Sequence, residues 1–200
     1  MLASITKQQP FFYLGYSILP VLFLFQGFLI AQNPNAFNSL SLGFDYMTNV
    51  NRDDFHQYWH PGTGVNGSIE TPFYWGNVRV GCQITAYQAR TIDVPSFPSA
   101  YVYLGWGLET FLFRRIAVVG GIQLGYDVMV FDTVNKLLVE SEMQTGWYAG
   151  IIRELSEKWD VHLTFHDQVL LTNKHIYRDF FAAGIGYSIE TPKWLLYFLE

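Results

Sequence analysis

The residues best able to do chemistry fall on one parity of alternating segments. Asp45, Glu70, Glu109, Asp127 and Glu190 lie on the polar face of a period-2 pattern, with Arg79 as the main cation among them. Unpaired charge in a narrow interior is costly, so these carboxylates must gather around the arginine. Such a cluster either gates an ion path or fills an interior with internal ion pairs. The same face carries Tyr103, Tyr148, Gln83, Gln123, His162 and His166. The two histidines stand four apart on a strand, about 13 Å by the strand rise, which is too far to share one metal ion. Hydrogen bonding inside a polar lumen is the role that spacing supports.

A second group, Arg52-Asp53-Asp54-Phe55-His56-Gln57-Tyr58-Trp59-His60, mixes carboxylates, imidazoles and aromatic rings in one connection. Asp54, His56 and His60 have metal-ligand chemistry but no recognised ligand spacing. Tyr58, Trp59, His56 and His60 read instead as surface-loop contacts for a partner. No glycine-rich phosphate loop, zinc spacing or nucleophile elbow occurs, so no catalytic residue, metal site or cofactor is expected. Cys82 is the single cysteine, between Val80 and Ile84, which excludes an internal disulfide and suggests a plain apolar position.

The elements that position these residues are strands. Eight segments alternate with period 2: Ser39–Tyr46, Val65–Glu70, Val78–Thr85, Val102–Glu109, Gly121–Val128, Gln144–Ile151, Val161–His166 and Phe181–Ser188. Tight connections (Pro72–Gly76, Phe113–Arg115, Leu155–Lys158) alternate with longer ones (Val50–Pro61, Ala89–Pro98, Thr133–Val139, Thr172–Tyr177). That rhythm describes an up-and-down antiparallel meander with two unlike ends. Such a sheet must close, because terminal strands would otherwise expose unpaired backbone groups. An eight-stranded barrel holds little beyond its own side chains, which favours a filled lumen over a conducting one.

Composition decides the solvent of that barrel. The 200 residues are 50% hydrophobic, 18% aromatic and only 14% charged, with 12 Lys and Arg against 17 Asp and Glu. Disorder is excluded by the aromatics, and the lack of a basic patch excludes a nucleic-acid partner. A soluble barrel would show water a face rich in Lys and Glu. Here the polar face offers Gly, Ser, Gln, Thr and Tyr, suited to a crowded interior, while the other face is continuously apolar, as a lipid-facing band is. Aromatic rings cluster where strands end, Phe73, Tyr74, Trp75, Phe113, Trp159 and Trp194 at one end, Tyr58, Trp59, Tyr101 and Phe131 toward the other. Trp75, Trp159 and Trp194 read as interface anchors, since an indole suits the headgroup boundary. Residues 1–32, with Lys7, an apolar middle from Ile18 to Ile30 and Ala31 at the exit, read as a secretory signal peptide cleaved near Ala31 or Gln32.

In these features the chain resembles the small outer-membrane β-barrels of the OmpA/OmpX type, over Phe37 to Ile189. The resemblance rests on strand pattern, loop alternation and the leader rather than on a short motif. The chain is expected to divide into three regions: a signal peptide (1–32), an outer-membrane β-barrel (37–192) and an interfacial C-terminal tail (193–200). The resemblance implies short turns in the periplasm, longer loops outside, and a closing strand, Phe181 to Ile189, read by the outer-membrane assembly machinery. The family usually ends at an aromatic residue finishing that strand, whereas this chain runs on through Pro192 to Glu200, an amphipathic piece at the periplasmic boundary. His166-Asp167-Gln168 is similar to the His-x-Ser pair of outer-membrane lipid A deacylases, but Gln168 stands where the serine should be. The expectation is therefore a structural or surface-interaction protein of a Gram-negative outer membrane. Its expected contacts are outer-membrane lipid, lipopolysaccharide and an extracellular partner reached through the loops. A lipid A-modifying hydrolase around His166 and a narrow porin-like channel along Arg79 are the alternatives.

Overall fold

Alternating side chains force one face of each segment inward and the other outward, and eight such segments close on themselves. The structure, a computed structural model, describes residues 36–50, 55–133, 136–172 and 175–199. The expected leader lies outside these residues, as do Arg52, Asp53 and Asp54 of the first long connection. The strands are β1 (Ser39–Asn49), β2 (Thr63–Phe73), β3 (Gly76–Tyr87), β4 (Phe97–Phe113), β5 (Ile116–Thr133), β6 (Lys136–Glu154), β7 (Trp159–Leu170) and β8 (Ile176–Glu190). Each pairs antiparallel with its sequence neighbour, and β1 pairs with β8 from Ser39↔Glu190 to Asn49↔Phe180 to close the barrel. A short helix, α1 (Phe55–Tyr58), interrupts the first long connection, and α2 (Lys193–Leu199) follows the last strand. No helix among the described residues is long and apolar enough to cross a membrane, which says nothing about the strands.

One connection differs from expectation. Of the expected long connection Thr133–Val139, Thr133 and Lys136 to Val139 are strand, because Phe131↔Leu138 and Val130↔Val139 continue the β5–β6 ladder to Thr133↔Lys136. Apolar cross-strand pairs carry the ladder into residues that read as loop in the sequence. β5 and β6, at 18 and 19 residues, therefore stand taller than β1 and β2, at 11 each. At the tight end, Gly76 closes the β2–β3 hairpin with a φ of 129°, a conformation that a side chain would strain.

The outward face is apolar: Leu42, Phe44, Ile69, Val80, Leu104, Ile122, Leu124, Leu163, Phe181 and Ile185 are all exposed. Cys82 belongs to this face and is exposed as a free thiol. Trp75, Trp159 and Trp194 are exposed at the tight-turn end. Toward the long-loop end the outward rings are Tyr46, Tyr126 and Tyr177. Tyr101 is not among them, since inward parity buries it in the lumen, stacked on Tyr103 with centroids 5.2 Å apart. Two outward carboxylates, Asp167 and Asp179, oppose each other across β7 and β8.

Candidate functional site

The lumen collects the polar chemistry, and it is organised in three tiers. The first lies toward the tight-turn end. Glu70 and Arg79 are direct cross-strand partners on β2 and β3, so their side chains meet on the inward face. Arg79 Nε donates to Glu70 Oε2 at 2.6 Å and Asn77 Nδ2 donates to Oε1 at 2.7 Å, which satisfies both carboxylate oxygens. The guanidinium also lies 4.6 Å from the centre of the Tyr148 ring, a cation–π contact.

Beside it, Asp45 and His162 both flank Gly184 in the sheet, on β1 and β7. Because that position has no side chain, the two reach over it, and His162 Nε2 lies 2.5 Å from Asp45 Oδ1. Asp160 Oδ1 takes the other ring nitrogen at 3.0 Å. The ring is thus held between two carboxylates, one at each nitrogen. Asn66 Nδ2 donates to Asp45 Oδ2 at 2.7 Å, and Tyr103 Oη donates to Asn66 Oδ1 at 3.0 Å.

The inward residues around these pairs are small (Ser39, Ser41, Gly43, Ser68, Gly186, Ser188), and a cavity of about 560 Å³ remains among them, lined also by Glu109 and Glu154. The lumen is thus not filled along its whole length. Large side chains would be needed to occupy this tier, and the sequence places serine and glycine there instead. Glu190, expected inside, ends β8 and is exposed.

The second tier crosses the barrel. Gln168 Nε2 donates to Gln83 Oε1 at 2.8 Å, and Gln144 Nε2 donates to Gln168 Oε1 at 3.0 Å. Arg178 donates to the Gln144 side-chain oxygen and to Asp127, and Ser99 Oγ donates to Asp127 Oδ1 at 2.6 Å. These groups come from β3, β7, β6, β8, β5 and β4, and every one is buried. Asp127 therefore pairs not with Arg79 but with Arg178, which the sequence reading missed. Arg178 falls between the expected connection Thr172–Tyr177 and the expected strand Phe181–Ser188, yet its parity with Phe180, Ala182 and Gly184 is the inward one. His166 and Gln123 are buried near this level, His166 stacked on Tyr148 with centroids 5.7 Å apart. That ring faces the interior, out of reach of a lipid lying against the wall.

The third tier is an aromatic and apolar lid at the long-loop mouth. Tyr87, Phe97, Met129 and Leu170 are buried together, and Phe55, Trp59, Phe131 and Ile176 pack onto them. α1 turns Phe55 downward, where it stacks on Trp59 at 4.8 Å, and Trp59 Nε1 donates to the Pro95 carbonyl at 2.9 Å. The four residues expected as surface contacts separate here. Tyr58 and His60 are exposed, His56 is buried and Trp59 is half-buried. The aromatic pattern gave no register for an irregular connection, so inside and outside could not be told apart there. Among the described residues, no group of three or more His, Cys, Asp or Glu could hold a metal ion.

No family model matches this chain, and no curated protein matches it. Its fold is similar to that of Neisserial surface protein A, with a TM-score of 0.52 and 10% identity over 78% of this chain and 99% of that one. It is similar also to Ail of Yersinia pestis, with a TM-score of 0.53 and 13% identity over 76% and 99% of the two chains. OprG of Pseudomonas aeruginosa gives 0.57 and 9% identity over 78% and 98%. The shared property is the fold, a small eight-stranded outer-membrane β-barrel, reached from sequences with little in common.

Proposed function

We propose that the chain spans a Gram-negative outer membrane as a non-conducting barrel, with a structural role in the envelope and a surface role for its long connections. Its leader over 1–32 directs export and is removed, and its neighbours are outer-membrane lipid, lipopolysaccharide and the assembly machinery. The observation that carries the reading is the buried layer from Gln83 to Asp127, crossing the lumen inside a wall whose outer face is apolar. Ions entering the cavity on the tight-turn side meet that layer and then the lid. Driving a hydrated ion through would require separating Arg178 from Asp127 in a low-dielectric interior.

Support for the surface role comes from Tyr58, exposed on α1 and anchored beside a packed lid. One structural neighbour is named an attachment invasion locus protein and has been solved with the heparin analogue sucrose octasulfate. An extracellular partner reached through the loops fits that company. The hydrolase reading has less support, because His166 lies inside the wall beside Gln168 rather than a serine.

The test is conductance. Refolded protein, checked for insertion by its mobility on unheated and boiled detergent gels, is added to planar bilayers and gives no steady current. Reproducible open channels would overturn the sealed-lumen reading.

A further inference from the structure

We propose that the tight-turn rim between β4, β5 and β6 binds the phosphate of an anionic membrane lipid. The inference deepens the membrane reading above and rests on it. Arg114 and Arg115 form the connection between β4 and β5, and Arg153 lies on β6 directly across from Ile116. The backbone bond from Glu154 N to Arg115 O, 3.0 Å, holds the turn against β6. All three arginines are exposed, and they open on one cleft whose other walls are Phe113, Ile116, Leu155 and Glu154.

The cleft is unbalanced in charge. The ion pairs among the described residues engage Arg79, Arg178 and His162, and none engages these three arginines. Glu154 is the sole carboxylate on the cleft, and its inward parity also makes it part of the lumen wall. Three like charges on one cleft repel one another, and an anion entering it relieves that repulsion. Their planar forks match phosphate oxygens with paired N–H donors, which an ammonium cannot do.

Position selects the source of that phosphate. Phe113 is 70% exposed, Leu112 56% and Leu155 52%, so apolar surface flanks the arginines. Trp159 and Trp75 mark the same end of the wall. A lipid can place its acyl chains on Phe113 and Leu155 and its phosphodiester among the arginines at once. Free phosphate uses only the second half of the site. A choline headgroup would bring a cation beside three others, so phosphatidylglycerol is the better match than phosphatidylcholine.

The experiment compares the parent protein with the Arg114→Gln, Arg115→Gln, Arg153→Gln triple variant in micelles doped with either lipid. Native mass spectrometry reads how much lipid each retains, and gel mobility and bilayer insertion are checked separately. Retention of phosphatidylglycerol falls about tenfold in the variant, phosphatidylcholine retention is low in both, and inorganic phosphate does not displace the bound lipid. Equal retention of phosphatidylglycerol by the two proteins overturns the site, and so does displacement by inorganic phosphate. A parent protein that fails to insert overturns the membrane reading itself, whereas insertion without lipid preference removes only this site.

Discussion

His162 and Asp45 meet over Gly184. The imidazole Nε2 lies 2.5 Å from the carboxylate, and both reach into the space that a Cβ on Gly184 would take. The pair therefore depends on a third residue that contributes no side chain. Its two members are 117 residues apart in sequence and share no strand contact, only a common neighbour on β8.

Gly184→Ala pushes those groups apart, and its methyl group also crowds the Phe44 carbonyl, 2.5 Å from the added Cβ. The expected loss is about 1–3 kcal/mol, the cost of unsatisfied buried polar groups. Gly67→Ala is the control, since nothing lies within 4 Å of its added methyl group. Urea unfolding in lipid vesicles, followed by gel mobility, should show a lowered midpoint for the first and little change for the second. Equal midpoints would remove Gly184 as the reason the pair forms.

Arg178 and Asp127 are a fully buried pair, 2% and 0% exposed. Arg178→Met strands a carboxylate in the barrel interior and is expected to cost about 3–5 kcal/mol. Adding Asp127→Asn removes that stranded charge, so the double variant should recover part of the loss. A double variant less stable than the single one would show that Asp127 is satisfied by Ser99 alone.

Adjacent residues of the first long connection should behave differently. Tyr58 is 50% exposed, whereas Trp59 donates one hydrogen bond and stacks on Phe55. Tyr58→Ser should leave unfolding unchanged and weaken any surface contact. Trp59→Ser should destabilise by about 2 kcal/mol, the sum of an aromatic pair and a hydrogen bond. Matching stability for the two variants would contradict the lid.

The parts legible in sequence were those with a period. Alternation in Leu40 to Tyr46 or Val78 to Thr85 fixes which side chains face inward, and so finds Asp45, Glu70, Arg79, Glu109, Asp127 and both histidines. Pairing partners were less visible, because they depend on register across strands. Nothing in one strand says that Asp127 meets Arg178 rather than Arg79. Arg178 itself hid at the start of β8, where Tyr177 and Asp179 break the apolar face and resemble a loop. Leu137 to Val139 misled in the opposite direction, since their strand character appears only against Val130 and Phe131.

Cys82 offers a direct reading of what touches the outer wall. It is the only cysteine in the chain and lies exposed on the outward face, paired with Gly67 and Val102. Thiol chemistry needs the thiolate, which forms in water and not in hydrocarbon. In protein inserted into vesicles, a charged maleimide should therefore leave Cys82 unmodified, while detergent extraction or unfolding should expose it. The Cys82→Ala, Ile92→Cys variant supplies the comparison, because Ile92 lies between β3 and β4 and is 100% exposed. Its thiol should react at once in the same vesicles. If Cys82 reacted as fast as the Ile92→Cys thiol, water would be lying against the apolar face. The apolar side chains around it, Val80, Ile84, Val102 and Leu104 among them, would then need some cover other than lipid.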